Sequence, residues 1–336
     1  MKIQPFILGS GRSALAIRES LALLREQTFG QSDNLILLEP RQVPRGASPT
    51  PDLNAEKSVL FISTPHALHA PQILAAANAG FHAIGCEKPS CVDRGQLQSL
   101  RDVSIPVAIY HVYREMWGPK TLKQMIGEGF FGELISLEGR YWQASTAERA
   151  LSNGPKVESW KNEVQLSGPS DALIDVGVHW LDLVRHLAGE NPLRISGWKS
   201  FKNADQPHRD SHVQLALDFA SGLRAWGSIS KTFHGSGNHF EINVVGTRAS
   251  ATWTFMDPDL IWIGEGRERR TLTRKSTTLG TGHPPHHSAG WLEGYLEINR
   301  NLLRSVLGLP ASSFPTLSEN LELLSSVFET RFEEQR

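Results

Sequence analysis

The sequence predicts an α/β protein whose N-terminal part is a doubly wound parallel sheet, followed by a second domain. Three observations predict it. Short apolar strands alternate with amphipathic helices as far as residue 115, the pattern that joins parallel strands through crossover helices. The first strand runs straight into a glycine turn and a helix. The length of 336 residues exceeds one usual hydrophobic core, so two domains are expected.

The elements follow in order. Ile3 to Leu8 reads as a buried strand, and Ala14, Ile17, Leu21 and Leu24 mark one face of the next helix. Between them lies the turn Gly9, Ser10, Gly11, Arg12, Ser13, Ala14, which has the form G-x-G-x-x-A. In a strand–turn–helix context this is the dinucleotide fingerprint. Gly9 allows a tight turn, Gly11 lets backbone approach a pyrophosphate, and Ala14 permits close helix–strand packing. The helix N-terminus adds unpaired N–H groups and a positive dipole end. The turn is therefore the candidate cofactor cradle of a Rossmann domain. An ordinary turn rich in small residues is the competing explanation.

A second strand, Leu35 to Leu38, ends in Glu39. A carboxylate at that tip would accept from an adenosine ribose and disfavour a 2′-phosphate, so NAD is favoured over NADP. Arg41 lies two residues on and would act in the opposite sense. Val59 to Ile62 is a third strand, followed by Ser63, Thr64 and Pro65 and a helix over 67–79. Phe81 to Gly85 is a fourth strand, leading to Glu87 and Lys88. Val107 to Tyr110 is a fifth and closes the domain at residue 115. Ligands of a doubly wound sheet bind at the strand C-termini, so Ser63, Thr64, Pro65, Glu87 and Lys88 join the cofactor candidates.

Composition narrows the function classes. The chain is 40% hydrophobic and 21% charged, with a net charge of −1. That balance offers no basic surface for a nucleic-acid backbone. No apolar run approaches the ~20 residues of a membrane helix, and the N-terminal stretch lacks a signal-peptide layout. Cys86 and Cys91 are too few and wrongly spaced for a disulfide framework or a zinc pair. A cytoplasmic location is expected.

The most informative stretch is Asp171 to Gly189. Val176, Leu183, Val184 and Leu187 recur at helical spacing, with Gly189 at the C-cap position. Asp175, His179 and Asp182 project from one side of that helix. A carboxylate one turn from an imidazole can orient it and raise its basicity, as a general acid/base requires. A half-exposed helix with solvated Asp and His satisfies the same spacing.

Thr64 to Pro89 resembles the strand–helix–strand segment of the glucose–fructose oxidoreductase / inositol dehydrogenase / MocA (Gfo/Idh/MocA) family, in which a T-P-x-x-x-H segment leads to an E-K-P turn. Asp175 to Asp182 is similar to the family's D-x-G-x-H-x-x-D signature. With the glycine turn, three motifs stand in the family order over nearly the whole chain. The resemblance implies a Rossmann domain over 1–115. It implies a C-terminal α/β domain, with a large mostly antiparallel sheet, over 116–336. Substrate would sit over the nicotinamide, with catalytic Lys88, Asp175 and His179, and His69 among the cofactor residues. Arg114 and Trp160 are implied substrate contacts. Gly118 to Gly129 fits a connecting helix and 130–142 the entry into the sheet. His212 to Phe219, the segment from Leu223 and the pair from Phe240 to Trp253 alternate as strands. One sheet face is expected to pair with another copy, giving a homo-oligomer, dimer or tetramer.

The match departs from the family pattern in places. Val112 stands where an Asn is common, and the approach to the signature helix lacks the family's glycine run. His283, His286 and His287 cluster around two prolines. That spacing offers no closed tetrahedral metal site, and the segment is expected to roof the cleft, with His286 bonding substrate. Trp142, Trp160 and Trp180 suit either a sugar face or a core.

The expected activity is hydride transfer between a nicotinamide cofactor and a secondary alcohol or ketone of a sugar, polyol or related cyclic substrate. A cofactor-dependent glycosidase and a dinucleotide-sensing regulator are the alternatives on the same fold.

Overall fold

The computed structural model describes residues 1–26, 36–44, 46–52, 54–151, 159–201, 208–274 and 290–335. These residues form two compact units. The first comprises Met1–Glu115 with Trp291–Leu321, and the second the described parts of Met116–Ser276 and Glu322–Arg336. The first unit thus reclaims a C-terminal segment that the sequence assigns to the second domain.

In chain order the first unit contains β1 (Lys2–Leu8), α1 (Arg12–Leu24), β2 (Ile36–Leu37), β3 (Arg41–Val43), β4 (Lys57–Ile62), α2 (His69–Ala79), β5 (Ala83–Cys86), α3 (Arg94–Ser99) and β6 (Val107–Ile109). All pairings in its sheet are parallel, in the order β2-β1-β4-β5-β6 with β3 also on β1. β1, β4 and β5 are almost wholly buried, as a sheet covered on both faces requires.

The second unit continues with α4 (Trp117–Gly127), β7 (Leu134–Gln143), α5 (Ser145–Leu151), α6 (Val164–Ser167), a π-helical turn (Ala172–Gly177) and α7 (Val178–Ala188). Then come β8 (Pro192–Ser200), β9 (His212–Phe219), β10 (Arg224–Ser230), β11 (Asn238–Gly246), β12 (Ser250–Thr254), β13 (Leu260–Glu265) and β14 (Glu268–Thr273). The chain closes with α8 (Leu292–Val306), α9 (Leu317–Glu329) and β15 (Glu333–Gln335), of which α8 belongs to the first unit. The second sheet has nine strands in the order β14-β13-β12-β11-β7-β10-β9-β8-β15. It is mostly antiparallel; only β7–β10 and β8–β15 run parallel.

The sheet is one-faced. Along β9 the burial alternates strictly, the period-two signature of a sheet covered on one side. Trp180 of α7 locks the helix to the covered face. Gly139 and Gly227 face each other across β7 and β10. A Cβ on Gly139 would lie 2.7 Å from the indole Nε1, and one on Gly227 would lie 2.6 Å from the ring. Two absent side chains thus make the trench that receives the largest residue. Trp180 is fully buried, so of its two expected roles it has the core one.

Candidate active site

In the first unit the glycine turn has the form a dinucleotide needs. Gly9 has φ +128°, and a Cβ there would fall 2.1 Å from the carbonyl oxygen of Ser63, so only glycine fits. A Cβ on Gly11 would meet nothing within 4 Å, so that position borders open space. Gly11 is also the N-cap of α1, where no side chain caps the helix and no acidic residue occupies the first turn. The N-terminal N–H groups of α1 therefore carry no side-chain acceptor, and the positive dipole end is not neutralised locally. A pyrophosphate fits this cradle.

The turns after β4 and β5 sit beside it. Ser63 N donates to the carbonyl of Leu8, and Glu87 N to that of Ile62, at 2.8 and 2.9 Å. Ser63, Thr64 and Pro65 are partly exposed and Lys88 is half-buried. Glu87 is buried and accepts a short hydrogen bond from the hydroxyl of Tyr295. Burial pushes its carboxyl above the usual range, against the opposing pull of Lys88 and of hydrogen bonds from Tyr295 and Ser13. The network extends through Tyr110, whose ring lies 4.8 Å from that of Tyr295 and whose hydroxyl donates to Asn299 at 2.6 Å. Asn299 in turn donates to Ser20 of α1 at 2.7 Å. α8 therefore braces both the glycine-turn helix and the Glu87 turn. Sequence spacing alone does not reveal this, because Tyr295 is distant along the chain.

Three expected site residues are placed elsewhere. Glu39 lies just past β2 but short of the glycine turn, because β3 resumes the pairing beyond it: Arg41, Gln42 and Val43 pair with Phe6, Ile7 and Leu8. Glu39 is level with Gln4, whose side chain donates to its carbonyl at 2.8 Å. That level is roughly 13 Å short of the strand end at 3.3 Å per residue. Its carboxylate pairs with Arg25 just past the far end of α1. The residue beside the glycine turn is Gln42, which donates to the carbonyl of Gly9 at 2.9 Å. His69 is fully buried, with Nδ1 2.7 Å from the carbonyl oxygen of Pro89 and Nε2 2.8 Å from that of Thr64. Burial lowers it to about 4, against the pull of the two carbonyls. It ties the two strand-end turns together from below, without a surface for cofactor. Arg114 is likewise buried and pairs with Glu319 at 3.0 Å, so its guanidinium serves the core rather than a substrate.

In the second unit Asp175 and His179 follow one another by four residues, though not on a single α-helix. The turn bearing Asp175 is π-helical, and α7 begins only at Val178. Such bulges recur at functional sites because they re-aim side chains. Asp210, from the loop before β9, holds its start: Oδ1 accepts from Ser170 Oγ and Asp171 N at 2.6 and 2.9 Å, and Oδ2 from Leu173 N at 2.7 Å. Asp175 and His179 are both buried. The Asp175 carboxylate accepts from Lys161 at 2.9 Å and from Lys231 at 2.8 Å. The Tyr141 ring lies 6.1 Å from that of His179. Trp160 is half-buried and stands beside Lys161, whose ammonium is 5.7 Å from its ring centre. Lys231 and Asp210 were not foreseen from sequence, where they sit in an ordinary strand end and loop. His283, His286 and His287 lie outside the described residues.

Residues 120–252 match the family model described as the GFO/IDH/MocA C-terminal domain. Levoglucosan dehydrogenase of Pseudarthrobacter phenanthrenivorans is 28% identical over 254 residues, which cover 67% of this chain and 63% of that protein. D-xylose 1-dehydrogenase [NADP(+)] of Haloarcula marismortui is 29% identical over 197 residues, 56% of this chain and 51% of that protein. The chain thus spans between half and two thirds of these curated relatives. Among solved structures, levoglucosan dehydrogenase in complex with NADH superposes with a TM-score of 0.82 at 21% identity, covering 98% of this chain and 96% of that one. An inositol dehydrogenase homologue with NAD+ from Azotobacter vinelandii gives 0.78 at 18% identity, covering 97% and 93%. The structural likeness establishes the fold: a Rossmann domain and a second α/β domain on a large mixed sheet.

Proposed function

We propose that this chain, whose residues 120–252 match the GFO/IDH/MocA C-terminal domain, is a nicotinamide-dependent oxidoreductase that interconverts a secondary alcohol and a ketone in a sugar, anhydrosugar or polyol. The observation that carries this reading is the pairing of Asp175 with two lysines one turn before His179. A solvated helix face has no use for a buried carboxylate held in that way. Bound nicotinamide would supply the hydride acceptor. Gly9, Ser10, Gly11, Arg12 and Ser13 would hold its pyrophosphate, with Ser63, Thr64, Pro65 and Glu87 beside it. His179 takes the hydroxyl proton at its imidazole, Lys88 stabilises negative charge developing on the substrate oxygen, and Asp175 keeps the imidazole basic. Trp160 is read as a substrate contact at the edge of the site.

The preference for NAD loses its residue-level basis with the placement of Glu39, so NAD and NADP are both read as cofactors. Names of relatives support the substrate class: a levoglucosan dehydrogenase, a D-xylose dehydrogenase and a 1,5-anhydro-D-fructose reductase of Ensifer adhaerens. The second reading is a cofactor-dependent glycosidase that returns the hydride within each turnover; among the relatives, the 2,7-anhydro-N-acetylneuraminate hydratase of Escherichia coli, 24% identical over 272 residues, is named for a reaction other than dehydrogenation. A panel of sugars, anhydrosugars and polyols with each dinucleotide separates the two. Stoichiometric change in nicotinamide absorbance supports the dehydrogenase, and product without net change supports the alternative.

A homo-oligomer is part of the proposal. The open face of the second sheet presents Trp226 and Trp262, 45% and 39% exposed, with Trp142 and Trp198 half-buried on the same side. Apolar surface of this kind marks an association site, and light scattering of wild type against Trp226→Glu tests it. Two buried free cysteines support the expected cytoplasmic location, and no described helix is long and apolar enough to cross a membrane.

A further inference from the structure

Lys231 immediately follows β10 and is only 1% exposed. An ammonium so deeply buried is costly unless fully paired. Its Nζ donates to Asp171 Oδ1 at 2.6 Å and to Asp175 Oδ2 at 2.8 Å. The two carboxylates outweigh the burial penalty and leave the lysine charged. Each aspartate has a second cation: Lys161 lies 2.9 Å from Asp175, and Arg209 lies 3.6 Å from Asp171. The main chain of Lys231 is pinned as well, its N–H donating to Ser211 at 3.0 Å and its carbonyl accepting from Thr146 at 2.9 Å. The lysine is therefore fixed at both ends, and the π-helical turn is fastened to it through its first residue's neighbour and through Asp175.

We propose that Lys231 is a positioning residue: its buried ammonium, shared between Asp171 and Asp175, fixes the Asp175 carboxylate on the π-helical turn and sets the proton affinity of His179. The inference rests on the reading of His179 as the proton acceptor. Asp175 stands one turn before the imidazole on the same helical segment, Lys161 and Lys231 act through it, and the Tyr141 ring of β7 lies 6.1 Å away. A bare Asp175 would hold the proton on His179 strongly and oppose its release. Two ammonium groups temper that field and ease release of the proton. One of them is buried and constant; the other, Lys161, is 39% exposed and is screened by solvent.

The test is the titration of His179 in histidine-labelled protein by NMR, with its ring resonances identified by their loss in His179→Gln. Removing a nearby positive charge favours imidazolium, so Lys231→Met is expected to raise the midpoint by roughly one unit. Lys231→Arg keeps the charge and is expected to hold the midpoint near wild type. Lys161→Met is expected to raise it by less. Because Asp171 and Asp175 each retain a cation, Lys231→Met is expected to fold, as near-UV circular dichroism would report. If it does not, Lys231→Gln, which removes the charge but keeps a donor to the carboxylates, takes its place. A midpoint unmoved in the folded Lys231→Met protein, or in Lys231→Gln should the former fail to fold, overturns the proposal. The titration needs no cofactor or turnover. Failure of the oxidoreductase reading would appear separately, as no dinucleotide turnover in wild type with the His179 shift intact.

Discussion

Glu87 in the first unit and Asp175 in the second are both buried carboxyls at turns assigned to chemistry, and they are held in opposite ways. Glu87 lies among hydroxyls, with Tyr295 and Ser13 as donors, and burial raises its pKa. Asp175 lies between two ammonium groups. Burial of the first favours its protonated form in spite of those donors and Lys88; the cations around the second favour its negative charge. The difference teaches where each unit expects charge. Burial raises the pKa of the carboxyl next to the glycine turn, whereas a paired carboxylate one turn before His179 favours a transient imidazolium.

The comparison is broken most severely at the residues assigned to chemistry. His179→Ala and Lys88→Met are each expected to lower turnover by ~10²–10⁴-fold, with dinucleotide affinity little changed in His179→Ala. Normal turnover in both would dissociate the charged turn from catalysis. The scaffold of the second unit comes next. Gly139→Ala places a methyl against Trp180 and 2.2 Å from the carbonyl oxygen of Glu241, and is expected to cost ~1–3 kcal/mol in denaturant unfolding. An unchanged midpoint would mean that the tryptophan trench has slack.

The smallest effect sharpens the contrast from the Glu87 side. Its folded pKa lies above the usual 4.5, so the folded state holds this proton to higher pH than the unfolded chain does. The folded state then binds more protons, and stability falls as pH rises through the interval between the two values. Glu87→Gln removes the titration and is expected to flatten that part of the stability–pH curve. Tyr295→Phe is expected to cost about 1 kcal/mol by removing a buried donor. A curve unaltered by Glu87→Gln would place the wild-type carboxyl in the ordinary range.

Local patterns carried much of the architecture. The glycine turn, the alternation of strands and helices, and the Asp175–His179 spacing depend on residues close in sequence, and periodicity exposes them. Partners from afar were invisible. Lys231 is 56 residues from Asp175, and Asp210 caps a turn 37 residues before it, so only the folded sheet brings them together. Glu39 misled because Leu38 looks like the last apolar residue of its strand, while the polar Arg41-Gln42 segment continues the pairing along β1. His69 and Arg114 misled for a different reason. Both are polar side chains held inside the core, His69 between two backbone carbonyls and Arg114 by Glu319, and their burial has no signature in sequence. The π-helical turn was read as α because the two share an apolar face over so short a span.

The central claim is that the first unit holds a nicotinamide dinucleotide at the glycine turn. The most direct measurement is calorimetric titration of NAD(H) and NADP(H) into wild type and Gly11→Asp. A side chain at Gly11 meets open space and its φ is −80°, so this variant should melt with the wild type while placing a carboxylate in the phosphate cradle. Saturable binding of at least one dinucleotide to wild type, lost in Gly11→Asp without a change in Tm, is the predicted result. Absence of binding in wild type, or equal binding in both proteins, would contradict the account.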